Sequence, residues 1–228
     1  MDPSQLPSGD PDLRFGPWCL WVLPSIKEDA PDAWVEAFAA LFKTCADQVQ
    51  ARWPLGEGVT AHVMLGGEQE NLDWNVDEDA LGFQALCTHV SDEQGDYLDV
   101  AHDHRCYVNV GNHARALHAN GDWDVAAALM TLPHEMAHVA IFAHASAGRT
   151  PLQVFDEDGG EIGLTGLMAQ IEEAGVQDDL ASHGPHEDEV ESFAMTVLDR
   201  YKTQPGVDLA SLQPPPPPAP VRKRWFQR

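Results

Sequence analysis

Residues 134–142 read His-Glu-Met-Ala-His-Val-Ala-Ile-Phe. Two histidines stand four apart, with a glutamate directly after the first. On a helix, positions i and i+4 share a face, so both imidazoles can hold one Zn²⁺. Glu135 then lies to the side of that face, where a carboxylate can act as general base on a water molecule at the metal. The spacing is therefore the one this chemistry demands. Apolar, helix-forming residues flank the motif: 126–130 before it and 139–142 after it. Such flanks bury a helix, and a buried helix carries two His and a Glu only when those polar groups meet a partner. The helical segment is predicted over residues 122–145. Pro133 lacks an N–H and crowds the preceding turn, so a kink or a split is expected directly before His134.

A zinc site needs a third protein ligand. His144 would supply it in the extended metzincin pattern H-E-x-x-H-x-x-G-x-x-H. Ile141 stands where that pattern has the glycine that turns the chain. A helix that continues carries His144 off the ligand face. The other candidates sit in His183-Gly-Pro-His186-Glu187-Asp-Glu-Val-Glu191-Ser-Phe-Ala194. A helix is predicted from Pro185 to about Tyr201, with Val190, Phe193, Ala194, Val197, Leu198 and Tyr201 as its core stripe. His186 and Glu187 fall on the two edges of that stripe, and His183 projects over the same face. Periodicity cannot choose among the three, because they lie within one turn.

Two families resemble this chain at these motifs. HEMAHVAIF followed by His183-Gly-Pro is similar to the SprT-like metallopeptidases, a resemblance that implies His183 as third ligand. Glu187-Asp-Glu-Val-Glu-Ser-Phe-Ala194 resembles the E-x-x-A-N-x-F-A helix of the ImmA/IrrE-type peptidases, which implies Glu187 instead. The departures are Glu187 for an aromatic in the first pattern, and Val190 for Ala and Glu191 for Asn in the second. Both resemblances cover about 90 residues, from roughly 105 onward, and imply a zincin-like fold with zinc as cofactor. The strand at 105–110 fits both. In zincin folds such a strand forms an edge that pairs with the substrate backbone. The SprT-like resemblance also implies cleavage of proteins attached to DNA.

Upstream of the motif, residues 1–15 read as a disordered leader without a basic start or an apolar core, so not as a secretory signal. Residues 17–23 (PWCLWVL) read as a buried strand. Asp29-Ala30-Pro31 opens a helix in which Trp34, Phe38, Leu41, Phe42, Cys45 and Val49 follow at core spacing. Strands are predicted at 59–65, 83–90 and 105–110, with an Asp-rich turn at 91–96. A short helix is expected at 112–119, another at 164–174, and acidic loops at 66–80 and 149–162. His102-Asp-His104 reads as exposed polar surface, and His62, His89, His113 and His118 as surface or core-edge groups. The tail over 204–228, with Pro214–Pro218 followed by basic residues, is expected to be extended and to serve as a linker or as a docking peptide for a protein partner.

The charge balance bounds the partners. The chain has 228 residues and a net charge of −24. Arg222, Lys223, Arg224 and Arg228 lie in the tail, so only 9 of the 13 basic residues face the 37 acidic ones in the body. A body this acidic repels phosphate backbones, which argues against nucleic-acid binding by the domain. No apolar run is long enough to span a membrane. Cys19, Cys45, Cys87 and Cys106 are scattered and form no C-x-x-C pair, as expected of reduced thiols in a cytoplasmic protein.

The resulting expectation is an α+β, zincin-like domain over residues 16–203. A small twisted mixed sheet packs on helices, and the His-Glu motif lies on a central helix. The expected activity is hydrolysis of a protein or peptide substrate, with His134, His138 and His183 (or Glu187) on zinc and Glu135 as base. The alternative is the same fold kept as a non-catalytic zinc-binding regulatory or interaction module.

Overall fold

The computed structural model describes residues 6–26, 30, 32–67, 81–85, 88–92, 95–99, 104–111, 113, 125–146, 152–153 and 185–212. The elements run β1 (Leu13–Phe15), β2 (Trp18–Val22), α1 (Asp32–Arg52), β3 (Ala61–Gly66), β4 (Gly82–Ala85), β5 (Thr88–Asp92), β6 (Gly95–Asp99), β7 (His104–Asn109), α2 (Val125–Ser146), β8 (Leu152–Gln153) and α3 (Pro185–Lys202). A 3-10 turn, Leu209–Ser211, follows α3. Together they make a small mixed α+β domain, a twisted sheet packed against helices.

The main sheet has the order β1-β2-β3-β7-β4. Its three central strands are parallel, and the two outer ones run antiparallel to their neighbours. The central strands are buried along nearly their whole length, which is why they read as continuous apolar runs rather than alternating ones. Alternate residues still face opposite ways. Trp18, Leu20, Ala61, Val63, Leu65, Cys106 and Val108 point into the helical side, while Trp21, Met64 and Tyr107 pack with Leu23 on the other. On that second side Trp21 Nε1 donates to His62 Nδ1 at 3.0 Å, and the Tyr107 hydroxyl donates to the Gly67 carbonyl at 2.6 Å. A two-residue turn, Gly16-Pro17, joins β1 to β2, and Gly16 takes the left-handed φ of 58° there. β5, β6 and β8 form a separate antiparallel sheet.

The helices cover one face in a fixed order. α1 buries Trp34, Phe38, Leu41, Phe42, Cys45 and Val49, as the spacing predicts. α3 buries Val190, Phe193, Ala194, Val197, Leu198 and Tyr201, again the expected stripe. Its Tyr201 hydroxyl reaches the Ala37 carbonyl of α1 at 3.3 Å, and Arg52 pairs with Glu189. α2 lies at the centre, against α1, α3, β4 and β7.

Several expectations are corrected. α2 runs through Pro133 unbroken, so the proline does not split the segment. Packing on several sides holds a helix that has lost one backbone bond. The strand at 105–110 is not an edge: β7 lies between β3 and β4, and β4 is the outer strand. The run expected as one strand at 83–90 contributes to two, β4 and β5, in different sheets. Part of the expected turn at 91–96 belongs to the β5–β6 hairpin. Leu13–Phe15 forms β1 inside the expected leader, and Val207, Leu209 and Leu212 pack on the core inside the expected tail. His62 and His113 are buried, and so is His104 of the His-x-His pair, as the first residue of β7. The expected helix at 164–174, both acidic loops (apart from residues 66–67 and 152–153), nearly all of the 112–119 segment, residues 213–228, Cys87, His102 and His118 lie outside the described residues. No helix among the described residues is long and apolar enough to cross a membrane.

The core makes the first prediction. Phe42 is fully buried in α1 and Met195 is 57% exposed on α3. Phe42→Ala is expected to cost about 3–5 kcal/mol in urea denaturation, and Met195→Ala less than about 0.5 kcal/mol.

Candidate metal centre

His134, Glu135 and His138 all lie on α2, in the third and fourth of its six turns. Leu132, Met136, Ala137, Val139 and Ala140 are buried around them, so the helix cannot rotate the motif away from its surroundings. The two imidazoles turn toward each other. Their Nε2 atoms are 3.1 Å apart, and the rings meet edge to face at 4.7 Å between centroids. Two nitrogens bound to one Zn²⁺ at about 2.0–2.1 Å in tetrahedral geometry stand about 3.3 Å apart. At 3.1 Å the two nitrogens are within hydrogen-bond reach of each other, a separation also close to that of two ligands of one ion.

Glu135 is 8% exposed, a carboxylate almost wholly inside the domain. The edge strand presses on it. At Gly82, the first residue of β4, an added Cβ would stand 2.9 Å from Glu135 Oε1, 3.1 Å from Glu135 Cγ and 2.8 Å from Thr131 Cγ2. Only a residue without a side chain lets β4 lie this close to α2. Leu81, Gly82, Met130, Thr131, His134 and Glu135 together line an open recess of about 370 Å³. So the outer strand, the carboxylate and one of the two imidazoles share one cavity. Sequence reading missed Gly82, which carries no chemistry of its own. Its signal was a glycine at the start of an apolar run, and it had no meaning until α2 was placed beside it.

Behind the motif, burial pushes the Cys106 thiol well above the ordinary thiol value, and the Glu135 carboxylate and Cys45 push it the same way. Cys45 is raised by burial alone. Both thiols stay protonated and buried, so they pack as small apolar groups.

None of the candidates for a third ligand is placed. His183 lies outside the described residues, and so do the side chains of His144, His186 and Glu187. Among the described residues no group of three His, Cys, Asp or Glu gathers to hold a metal. The backbone still bears on the choice. α2 continues past Ile141 to Ser146, so the chain makes no turn there. That carries His144 about 9 Å along the axis beyond His138 and round to another face. α3 opens at Pro185 and packs against α2, the helix that bears the motif. Compared with family models, curated proteins and solved structures, the chain matches none.

Two expected outcomes follow from this geometry. Gly82→Ala is expected to lower stability by about 1–3 kcal/mol, because Thr131 or Glu135 must move; urea denaturation measures it. The second concerns His113, which is 4% exposed and packs on the Phe38 ring at 6.5 Å between centroids. Burial lowers its pKa from 6.5 to about 4. The unfolded chain then binds this proton more readily than the folded one, so His113 favours unfolding as pH falls. Its effect begins near pH 6.5 and is complete near pH 4. His113→Leu is expected to flatten the acid limb of stability against pH between those values, and a slope equal to wild type would refute this.

Proposed function

We propose that this chain is a zinc-dependent metallopeptidase built on a zincin-like fold. The observation that carries the proposal is the convergence of His134 Nε2 and His138 Nε2 to 3.1 Å, on a buried helix, beside the buried carboxylate of Glu135. His134 and His138 would hold the ion, with His183 or Glu187 as third ligand and His186 the next candidate. Bound there, Zn²⁺ would polarise a carbonyl and acidify water.

The chain's own residues do the rest. Glu135 takes the proton that the attacking water gives up and passes it to the departing amine. Its burial keeps bulk water from competing for that proton. Gly82 lets β4 lie against the carboxylate. The outer edge of β4 has no strand partner among the described residues. It offers backbone N–H and C=O groups along which an extended peptide can align. A peptide aligned there runs past the recess that contains His134 and Glu135.

Metal analysis and a peptidase assay test the proposal together. Purified protein is expected to carry about one zinc per chain. His134→Ala and His138→Ala should lose the metal. Glu135→Gln should keep it and lose about 10²–10⁴-fold in turnover of an unfolded protein substrate. Between His183→Ala and Glu187→Ala, the variant that loses zinc identifies the third ligand. A protein without zinc, whose peptidase activity is unchanged by Glu135→Gln, refutes the reading. Zinc bound through His134 and His138 without turnover would favour a binding module instead.

A further inference from the structure

At the end of the main sheet opposite β4, β1 is the outer strand. Leu13 packs on the core beneath the helices, and alternation puts Phe15 on the same side of β1. Phe15 is nevertheless 40% exposed, one of three large hydrophobic side chains exposed among the described residues. Its ring stands between two recesses, of about 280 and 330 Å³, that share Phe15 and Asp47 as walls. Pro17, Ala46 and Gln50 line the first, and Lys43, Arg200 and Gln204 the second. Together the recesses form one groove over the outer face of α1 from Lys43 to Ala51, a length of about 12 Å. Lys43 and Arg200 make no ion pair among the described residues, whereas Arg52 and Lys202 do.

We propose that the proline run of this same chain, Pro214–Pro218, binds along this groove with Phe15 as its central contact. A row of prolines favours the polyproline II helix, which rises about 3.1 Å per residue, so four of the five prolines cover the groove. Such helices bind where aromatic side chains stand exposed, as Phe15 does. Proline has no N–H, so the backbone of the run only accepts hydrogen bonds. Lys43, Arg200 and Gln204 are donors gathered in one recess. Charge then sets the direction. Arg222, Lys223 and Arg224 follow the run. Lys43 and Arg200 line only the recess that holds Gln204, and Asp47 is the one charged residue lining the other. The run therefore enters beside Gln204 and leaves past Asp47, with its basic residues beyond the two cations. The link is short: Gln204 is held to the Thr44 hydroxyl at 2.8 Å, and Pro214 comes ten residues later. Binding within one chain acts at an effective concentration on the order of millimolar, so a weak contact suffices. The tail of a second copy would bring another chain of net charge −24 with it, which repels the first. The inference does not involve the metal and stands apart from the peptidase reading.

The test places the photo-crosslinking residue benzoylphenylalanine at position 15 of the full chain, which keeps an aromatic ring at an exposed site. After illumination in dilute solution, mass spectrometry is expected to locate the adduct within residues 214–221 of the same chain. Replacing all five prolines of 214–218 by serine should abolish it. An adduct confined to other residues, an adduct that joins two copies, or no adduct overturns the inference. A second arm uses trypsin on the full chain without the crosslinker. Cleavage after Arg222, Lys223 and Arg224 is expected to be about tenfold faster in Phe15→Ser than in wild type, because the bound tail is released. Phe15 is exposed, so this variant is expected to fold, and circular dichroism checks it. Met195→Ser, at an exposed site that lines neither recess, should cleave at the wild-type rate. Equal rates in wild type and Phe15→Ser, or the same rise in Met195→Ser, overturn the inference as well.

Discussion

The burial of helix α2 between the sheet and two other helices is the constraint from which the rest of the structure follows. The helix touches α1, α3, β4 and β7. Leu129, Leu132, Met136, Val139, Ala140 and Ala143 are all within the core. Packing on this scale fixes both the rotation and the height of the helix, because a rotation of even one residue would push polar groups into apolar contact. It also explains how Pro133 is tolerated. The backbone bond lost at the proline is small beside the apolar contacts made on either side of it. The consequence for chemistry is rigidity: His134, Glu135 and His138 are held on one element that has no freedom to move alone.

That placement has a cost. A carboxylate as buried as Glu135 is expensive unless a positive or hydrogen-bonding group meets it. Glu135 meets other groups within the fold, so its burial does not by itself require a cation. Arg52, Arg200 and Lys202 are at the ends of α1 and α3, and Arg105 is buried in β7 next to His62 across the β3–β7 pairing. A divalent cation, if His134 and His138 held one, would add to the interactions Glu135 already makes.

Legibility in the sequence followed the length and regularity of each pattern. α1 and α3 were readable down to individual core residues, because eight and six buried positions recur at helical spacing. β2, β3 and β7 were found within one or two residues, as apolar runs bounded by Gly, Pro or Asp. Their order was not readable. Strand neighbours are set by tertiary pairing, and β7 follows two strands of another sheet before it pairs with β3. The run at 83–90 hid a change of sheet because Ala85 to Val90 stays largely apolar through it. β1 has three residues, too few for any period. The buried histidines were misjudged for a different reason. Histidine is found both inside and outside proteins, and only the partner decides: Trp21 for His62, the Phe38 ring for His113. At the site, the two imidazoles and the carboxylate were visible as a motif, whereas Gly82 became visible only as the point where β4 meets α2.

The proposed ligands of the site are far apart in sequence, His138 on one side and the segment 183–187 on the other. The first two candidate ligands sit on a helix fixed by the core. The proposed third ligands, His183 and Glu187, lie more than 40 residues further on, before the point from which α3 is anchored at Val190. Closing a loop of that length costs entropy that grows only slowly with length, so the distance itself is tolerable. An ion shared between α2 and the first turn of α3 would act as a clasp between two elements that already pack together. On this arrangement the metal would add little to the stability of α2, which the core supplies. Metal binding and completion of the site would then be one event, with the paired imidazoles of His134 and His138 as its preformed half.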